Sequence, residues 1–151
     1  MRKILGIAAG TMMLHWTAAA LAGGALDVED PYARSVPPGQ ANSAVFMRIV
    51  NRGDAARTLV GGKSDAADVL ELHTHTMADG MMKMRRVERI EIPAKGAVSL
   101  EPGGLHVMLI GLKRNLVPGD SVDLRLDLDD GTALEVQAPV RAVQAMDHHR
   151  H

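Results

Sequence analysis

The chain has 151 residues, a nearly balanced charge of 17 Lys plus Arg against 18 Asp plus Glu, ten methionines and no cysteine. This length fits one packed domain, and the balanced charge indicates no nucleic-acid partner. Without cysteine there are no disulfides and no thiolates, so any metal ion must be bound by other side chains.

The N-terminal segment predicts export. Two basic residues precede an apolar run over residues 4–21, which ends in the small-x-small triplet Ala20-Leu21-Ala22. This order is typical of a signal peptide, which we predict over residues 1–22. The alternative is an uncleaved anchor, since the run is nearly long enough to cross a bilayer. No cysteine follows the run, which argues against a lipid anchor, and no later segment is apolar enough to span a membrane.

The remaining chain predicts a single all-β domain over residues 23–145. Glycine and proline clusters recur at short intervals, as in a β-sandwich or barrel. The run from Val122 to Leu128 alternates apolar and charged residues, which predicts a strand with one solvent-exposed face. The predicted strands cover residues 43–50, 69–75, 82–92, 97–101, 105–112, 121–128 and 132–138.

Aromatic residues make up only 2% of the sequence, and beyond the signal segment only Tyr32 and Phe46 remain. We therefore expect aliphatic side chains to fill the core. Met47, between Val45 and Ile49, is expected to be part of that core.

The histidines and methionines of the domain are grouped rather than scattered. In a strand, residues two apart share a face, so His73 projects with His75, and His106 projects with Met108. Each pair therefore offers two ligands to one point. We expect these ligands at one end of the barrel, on loops or strand ends.

Asp79-Gly80 is a strong signal for a two-residue hairpin turn. Such a turn makes His73 the diagonal neighbour of Met84 on one face. It also places two residue pairs directly opposite each other, Met77 with Met82 and His75 with Met84.

A group of imidazoles and thioethers selects metals by softness. Thioether sulfur suits Cu(I) and binds hard ions such as Mg²⁺ or Ca²⁺ poorly. The ligand set is neutral, so it lacks the tight, proton-releasing grip of thiolates and suits a carrier. In the alternative interpretation the methionines form one hydrophobic face and the histidines are incidental.

The spacing of these residues resembles a known family. Ten residues separate His73 from Met84, twenty-one separate Met84 from His106, and one separates His106 from Met108. The pattern H-x10-M-x21-H-x-M is similar to the signature of the periplasmic PCuA(C) copper chaperones. Neighbouring segments such as Glu71-Leu72-His73 also resemble the family, and the likeness covers nearly all of residues 27–143.

The resemblance implies a cupredoxin-like Greek-key β-barrel in the periplasm, with Cu(I) bound by His73, Met84, His106 and Met108. It implies a chaperone and not an enzyme. The expected partner is a recipient cuproprotein, such as the CuA-bearing subunit II of cytochrome c oxidase, or another copper-assembly factor. His75 is not a signature position, and its shared face makes it a secondary candidate.

The last six residues, 146–151, predict a flexible tail. Some members of the resembled family end in His and Met, and imidazole-rich segments favour Cu(II). The secondary ligand candidates there are Met146, His148, His149 and His151. The alternative is an idle end or a tag remnant.

Four other functions compete with the chaperone interpretation. An electron-transfer cupredoxin is disfavoured because blue-copper sites use a Cys thiolate. A catalytic metalloprotein is disfavoured because no motif places a general base near the His/Met group. A copper storage or scavenging protein without a specific recipient, and a structural or interaction domain that binds no metal, remain open.

Overall fold

The computed structural model describes residues 25–142 of the chain. All the secondary-structure elements within residues 25–142 are β-strands, so the all-β prediction is confirmed. The part of the chain that the structure describes has no helix able to span a membrane. The predicted signal peptide over residues 1–22 and the predicted tail over residues 146–151 lie outside the described residues.

Ten strands follow one another in the chain, and hydrogen bonds join them in the order β5-β4-β8-β2-β1-β10-β9-β3-β6, with β7 paired to β2. All pairs are antiparallel except the pair of β1 with β10. The strands are β1 (Leu26–Arg34), β2 (Asn42–Asn51), β3 (Arg57–Ser64), β4 (Ala67–Ala78), β5 (Met81–Val87), β6 (Ile90–Ile92), β7 (Ala97–Leu100), β8 (His106–Leu112), β9 (Ser121–Leu128) and β10 (Ala133–Arg141).

One aliphatic core lies inside this sheet and takes residues from both of its halves. Met47 is 3% exposed within it, as predicted. β9 alternates buried and exposed positions along its length, which confirms the strand with one solvent-exposed face. Tyr32 and Phe46 lie outside this aliphatic cluster and pack against each other, with ring centroids 5.2 Å apart.

Two strands escaped prediction because each contains residues that usually mark turns. β1 includes Pro31 and a register shift between Glu29 and Tyr32, which marks a bulge. β3 includes Gly61-Gly62, one of the glycine clusters that usually mark turns. A Cβ at Gly62 would lie 2.2 Å from the backbone oxygen of Arg125, so this glycine permits a close approach of β3 to β9.

The predicted single strand over residues 82–92 is wrong. It ends at Val87, and a separate strand begins at Ile90. β5 pairs with β4 and β6 pairs with β3, so the chain crosses between opposite ends of the strand order at Glu88-Arg89. Both segments have strand-like composition, and only their different pairing partners separate them.

The hairpin of β4 and β5 has the predicted register. Asp79 and Gly80 have φ values of 53° and 74°, the left-handed conformations that a tight two-residue turn requires. Met77 pairs with Met82, and His75 pairs with Met84. The pairing of β4 with β8 ends at His73, opposite the first residue of β8, so the tip of the β4–β5 hairpin extends past the start of β8.

Candidate metal centre

The candidate ligands project from the outer face of β4, β5 and β8. His73 lies directly opposite His106, and His75 lies directly opposite Met84. Met108 follows His106 by two residues in β8 and therefore shares its face. Val107, between His106 and Met108, points inward and is buried in the core, as is Leu72, which precedes His73. Strand alternation thus separates the stabilising face from the face that carries the ligands.

The outer face brings three imidazoles together. The ring centroid of His106 lies 5.9 Å from that of His73 and 5.2 Å from that of His75. Met84 and Met108 line the same pocket as His75 and His106. The structure therefore gathers the four signature residues at one place and adds His75 to them. His73 contacts the group through its ring and does not line the pocket.

Hydrogen bonds leave one nitrogen available on His73 and one on His106. The Nδ1 of His106 lies 3.0 Å from the backbone oxygen of Gly104 and must donate to it, because a carbonyl only accepts. The Nε2 of His73 lies 2.8 Å from a carboxylate oxygen of Glu71, which accepts its hydrogen bond. The opposite nitrogens, His106 Nε2 and His73 Nδ1, take no part in these hydrogen bonds, and in the neutral ring each carries the lone pair that can bind a metal.

These lone pairs are buried. His73 Nδ1, His75 Nδ1 and His106 Nε2 have no hydrogen-bond partner among the described residues. A buried polar atom without a partner costs about 1–3 kcal/mol, and such atoms call for a functional explanation. Three of them in one cluster beside two thioethers fit a site that binds a metal ion.

The electrostatics of the site keep His106 ready to bind. Burial lowers the pKa of the His106 imidazole, and the nearby His75, His73 and Arg34 lower it further, while the hydrogen bond to Gly104 opposes them. An imidazole coordinates only when neutral, so a lowered pKa favours metal binding near neutral pH.

Phe46 provides a buried apolar surface beside the candidate ligands. This role was not identified from the sequence. Phe46 lies on the outer face, yet it is only 2% exposed. Its ring centroid is 6.2 Å from that of His106, and the Arg34 guanidinium covers it at 5.3 Å. The scarcity of aromatic residues was the available signal, because the domain places both of them, Tyr32 and Phe46, on this face.

Glu71 was also missed as a functional residue, although it stands two positions before His73 on the same strand face. Its carboxylate receives the His73 hydrogen bond and lies 3.9 Å from the Arg86 guanidinium. A carboxylate that fixes the ring of a metal-binding histidine is a common supporting contact. The i, i+2 spacing was the signal that could have identified it.

The location of the ligands differs partly from the expectation of loops or strand ends. His106 is the first residue of β8, whereas His73 and Met84 lie inside their strands. The reason is the long hairpin, which carries interior strand positions past the start of β8. The ligands still gather where β8 begins, at one end of the β4–β8 pairing.

The arrangement also restricts which metal fits. Within residues 25–142 no group of three His, Asp or Glu side chains is placed to hold a metal ion by itself. The thioethers of Met84 and Met108 are further donors in the pocket that His75 and His106 line. Thioether sulfur prefers Cu(I) over Zn²⁺ and the harder divalent ions.

Comparisons with known proteins bear on the family and the fold of the chain. A family model described as "Putative lipoprotein LpqE-like" matches residues 26–140. A curated relative, "Putative lipoprotein Lxx21020" of Leifsonia xyli subsp. xyli, is 35% identical over 104 residues, which are 68% of this chain and 63% of the relative. This chain thus spans less than two thirds of that relative's length.

Two solved structures resemble the described fold. The solution structure of CuI-DR1885 from Deinococcus radiodurans is 38% identical, has a TM-score of 0.62, and the match covers 79% of this chain and 81% of that chain. The copper-bound PCuAC domain from PmoF2 has a TM-score of 0.67 at 24% identity and covers 80% and 95%. The cupredoxin-like fold that the PCuA(C) resemblance implied is confirmed.

Proposed function

Because this chain belongs to the LpqE-like family, we propose that it is an extracytoplasmic copper chaperone. It binds one Cu(I) ion through His73, Met84, His106 and Met108 and passes the ion to another protein. The main support is the cluster of buried imidazole nitrogens that lack partners among the described residues, beside Met84 and Met108 in one pocket. The copper-bound state of the similar DR1885 protein, at 38% identity, supports the choice of metal.

The chemistry of the proposed site favours transfer over permanent retention. Imidazole nitrogen and thioether sulfur are neutral ligands, so Cu(I) keeps its single charge and no ligand proton has to return when it leaves. Glu71 and Gly104 orient the His73 and His106 rings before the ion arrives, which reduces the ordering that binding requires. Met84 is 46% exposed, so a partner's ligand can reach the ion from that side.

His75 is an additional ligand within this proposal. Its ring is nearer to His106 than the His73 ring is, and it lines the pocket while His73 is bonded to Glu71. We propose that His73 binds through Nδ1 and that His75 can occupy the same coordination position during loading or release. His75→Asn should then change the rate of Cu(I) transfer more than the affinity, and His73→Asn should lower the affinity.

The proposed setting follows from the sequence. We propose that the predicted signal peptide over residues 1–22 directs the protein to the periplasm, and that the recipient is the CuA centre of cytochrome c oxidase, as the resemblance to PCuA(C) proteins implies. The protein acts as a carrier and not as an enzyme. Transfer of Cu(I) to a purified CuA domain, compared with an unrelated apo-cuproprotein, distinguishes delivery from storage without a specific recipient.

The test of the core site is a Cu(I) titration against a chromophoric chelator, with X-ray absorption on the loaded protein. We expect about one Cu(I) with mixed nitrogen and sulfur ligation. The double variant Met84→Leu and Met108→Leu keeps the apolar volume and removes both sulfurs, so Cu(I) binding should weaken strongly. Met47→Leu, inside the core, is the matched control. Equal Cu(I) affinity in the wild type and the double variant would refute the assignment.

The tail ligands Met146, His148, His149 and His151 lie outside the described residues, and Cu(II) binding there stays a prediction. Imidazole nitrogen suits the harder oxidised ion. Deletion of residues 146–151 should remove a type-2 Cu(II) electron paramagnetic resonance signal and leave Cu(I) binding at the core site unchanged. A truncated protein with its full Cu(II) signal would show that the tail is idle.

A further inference from the structure

The tip of the β4–β5 hairpin exposes an unusual number of methionines. Of the seven large hydrophobic side chains that are exposed in the described part of the chain, four are methionines near the hairpin turn: Met77 at 68%, Met81 at 63%, Met82 at 54% and Met84 at 46%. Methionine is usually buried, and an exposed apolar group of this kind indicates a binding role. Met84 belongs to the site already described, so the other three need an explanation.

Met77 and Met82 form a pair on the ligand face. They lie directly opposite each other across β4 and β5, one rung beyond the pair of His75 and Met84. Opposite residues in an antiparallel pair have Cβ atoms about 4.5–5.5 Å apart, so two flexible thioethers can meet at one ion. Successive rungs on one face are about 7 Å apart, at roughly 3.4 Å per residue. Met81 stands at the same tip but on the opposite face, where Ala78 is its partner.

On this geometry, and resting on the Cu(I) function proposed above, we propose that Met77 and Met82 form a second and weaker Cu(I) site at the hairpin tip. The ion enters or leaves there and moves one rung along the face to Met84 and His75. Each move exchanges one neutral ligand for another, so the oxidation state stays Cu(I) and no proton is transferred. The site is weaker because it has two sulfur ligands in solvent, without the buried imidazoles.

The experiment follows each methionine separately. The protein, labelled with [methyl-13C]methionine, is titrated with Cu(I) without oxygen, and the methyl resonances are read by NMR. The first equivalent should shift the methyl groups of Met84 and Met108. The next should shift those of Met77 and Met82 and leave Met81 unmoved. Met146 in the tail has its own methyl resonance, so Cu(I) binding there is distinguished from binding at the hairpin.

Two variants make the result specific. Met77→Leu with Met82→Leu keeps the apolar surface and removes the sulfurs, so the second binding event should disappear while the first stays. Met81→Leu is the matched control at the same tip, and it should behave as the wild type. Loss of the second event in the Met81→Leu protein, or its persistence in the double variant, would overturn the tip site.

The two proposals fail in different ways. If Met84 and Met108 respond but Met77 and Met82 never do, the core site stands and the tip site is wrong. If Met77 and Met82 respond and Met84 and Met108 do not, the tip binds Cu(I) on its own, and both the core assignment and the movement of the ion along the face are wrong. A third outcome is that the tip shows no Cu(I) response but binds a protein partner equally well before and after the leucine substitutions. The tip would then be an apolar docking surface, and the second Cu(I) site would be wrong.

Discussion

Two antiparallel strand pairs of this domain have similar side chains on the face toward the core and different side chains on the outer face. In β4–β8 and in β9–β10 the inward side chains, such as Leu109 and Leu124, are aliphatic and buried. On the outside, β9 carries the half-exposed Arg125, whereas β8 carries the nearly fully buried His106. Strand alternation therefore determines which side chains point toward the core and which point outward. The types of the outward residues determine the chemistry of each outer face.

The outer faces differ in how their polar atoms are satisfied. Arg125 lies near the carboxylates of Asp127 and Glu135 and stays open to solvent, which needs no other partner. The His106 Nε2 is shielded from solvent and has no partner among the described residues. A solvated charge supports solubility, while a shielded nitrogen without a partner fits the ligand role proposed for His106.

The largest effect should come from the inner faces. Leu109→Ala in β8 and Leu124→Ala in β9 each leave a cavity in the same core, and each should lower the free energy of unfolding by about 2–5 kcal/mol. Urea unfolding followed by circular dichroism measures this change. If one of the two variants were neutral, the inner faces would not be equivalent and the comparison would fail.

The next effect concerns a charge on each outer face. Glu71→Gln weakens the hold on His73 and should lower the Cu(I) affinity about 10- to 100-fold, as loss of supporting contacts does in metal sites. Glu135→Gln removes a carboxylate from the outer face of β10 and should leave the Cu(I) affinity unchanged. Competition with a Cu(I) chelator measures both. A similar loss in the two variants would indicate a long-range charge effect instead of a specific contact.

The sequence predicts correctly those parts of the fold that depend on a local residue pattern. The alternation of residues 122–128 and the Asp79-Gly80 turn predict a strand and a register, and both are confirmed. β1 and β3 were not predicted, because Pro31 and Gly61-Gly62 usually mark turns. They lie in strands here because β1 pairs with β2 and β3 pairs with β9. A bulge or a close approach is a property of two strands together, so one segment does not reveal it.

The candidate site shows the same limit. Spacing and face identify the histidines and methionines, because strand periodicity is local. The role of Phe46 depends on the pairing of β2 with β8, which brings its ring beside His106. The free nitrogen of His106 likewise follows from its contact with Gly104, which the sequence alone does not show.

The third prediction concerns pH in the absence of copper. Burial lowers the pKa of His106 in the folded protein, whereas in the unfolded chain it is about 6.5. The unfolded state therefore takes up the proton first as the pH falls, so stability is full above about pH 6.5 and decreases below it, until the folded-state pKa is passed. His106→Asn should reduce this loss between pH 7.5 and pH 5. An unchanged pH profile of unfolding in the variant would contradict the burial of a neutral imidazole.

The smallest effect should come from the charged outer face of β9–β10. Arg125→Gln removes contacts of 3.3 Å to Asp127 and 3.5 Å to Glu135, but all three side chains are well exposed, at 46%, 48% and 74%. Exposed ion pairs contribute only about 0.2–1 kcal/mol, and salt screens them. We therefore expect a change in unfolding free energy within about 1 kcal/mol, which shrinks further in 1 M salt, and an unchanged Cu(I) affinity. If Arg125→Gln destabilised the domain as much as Leu124→Ala does, the outer face of β9–β10 would be structural, and the difference between the two outer faces would need another explanation.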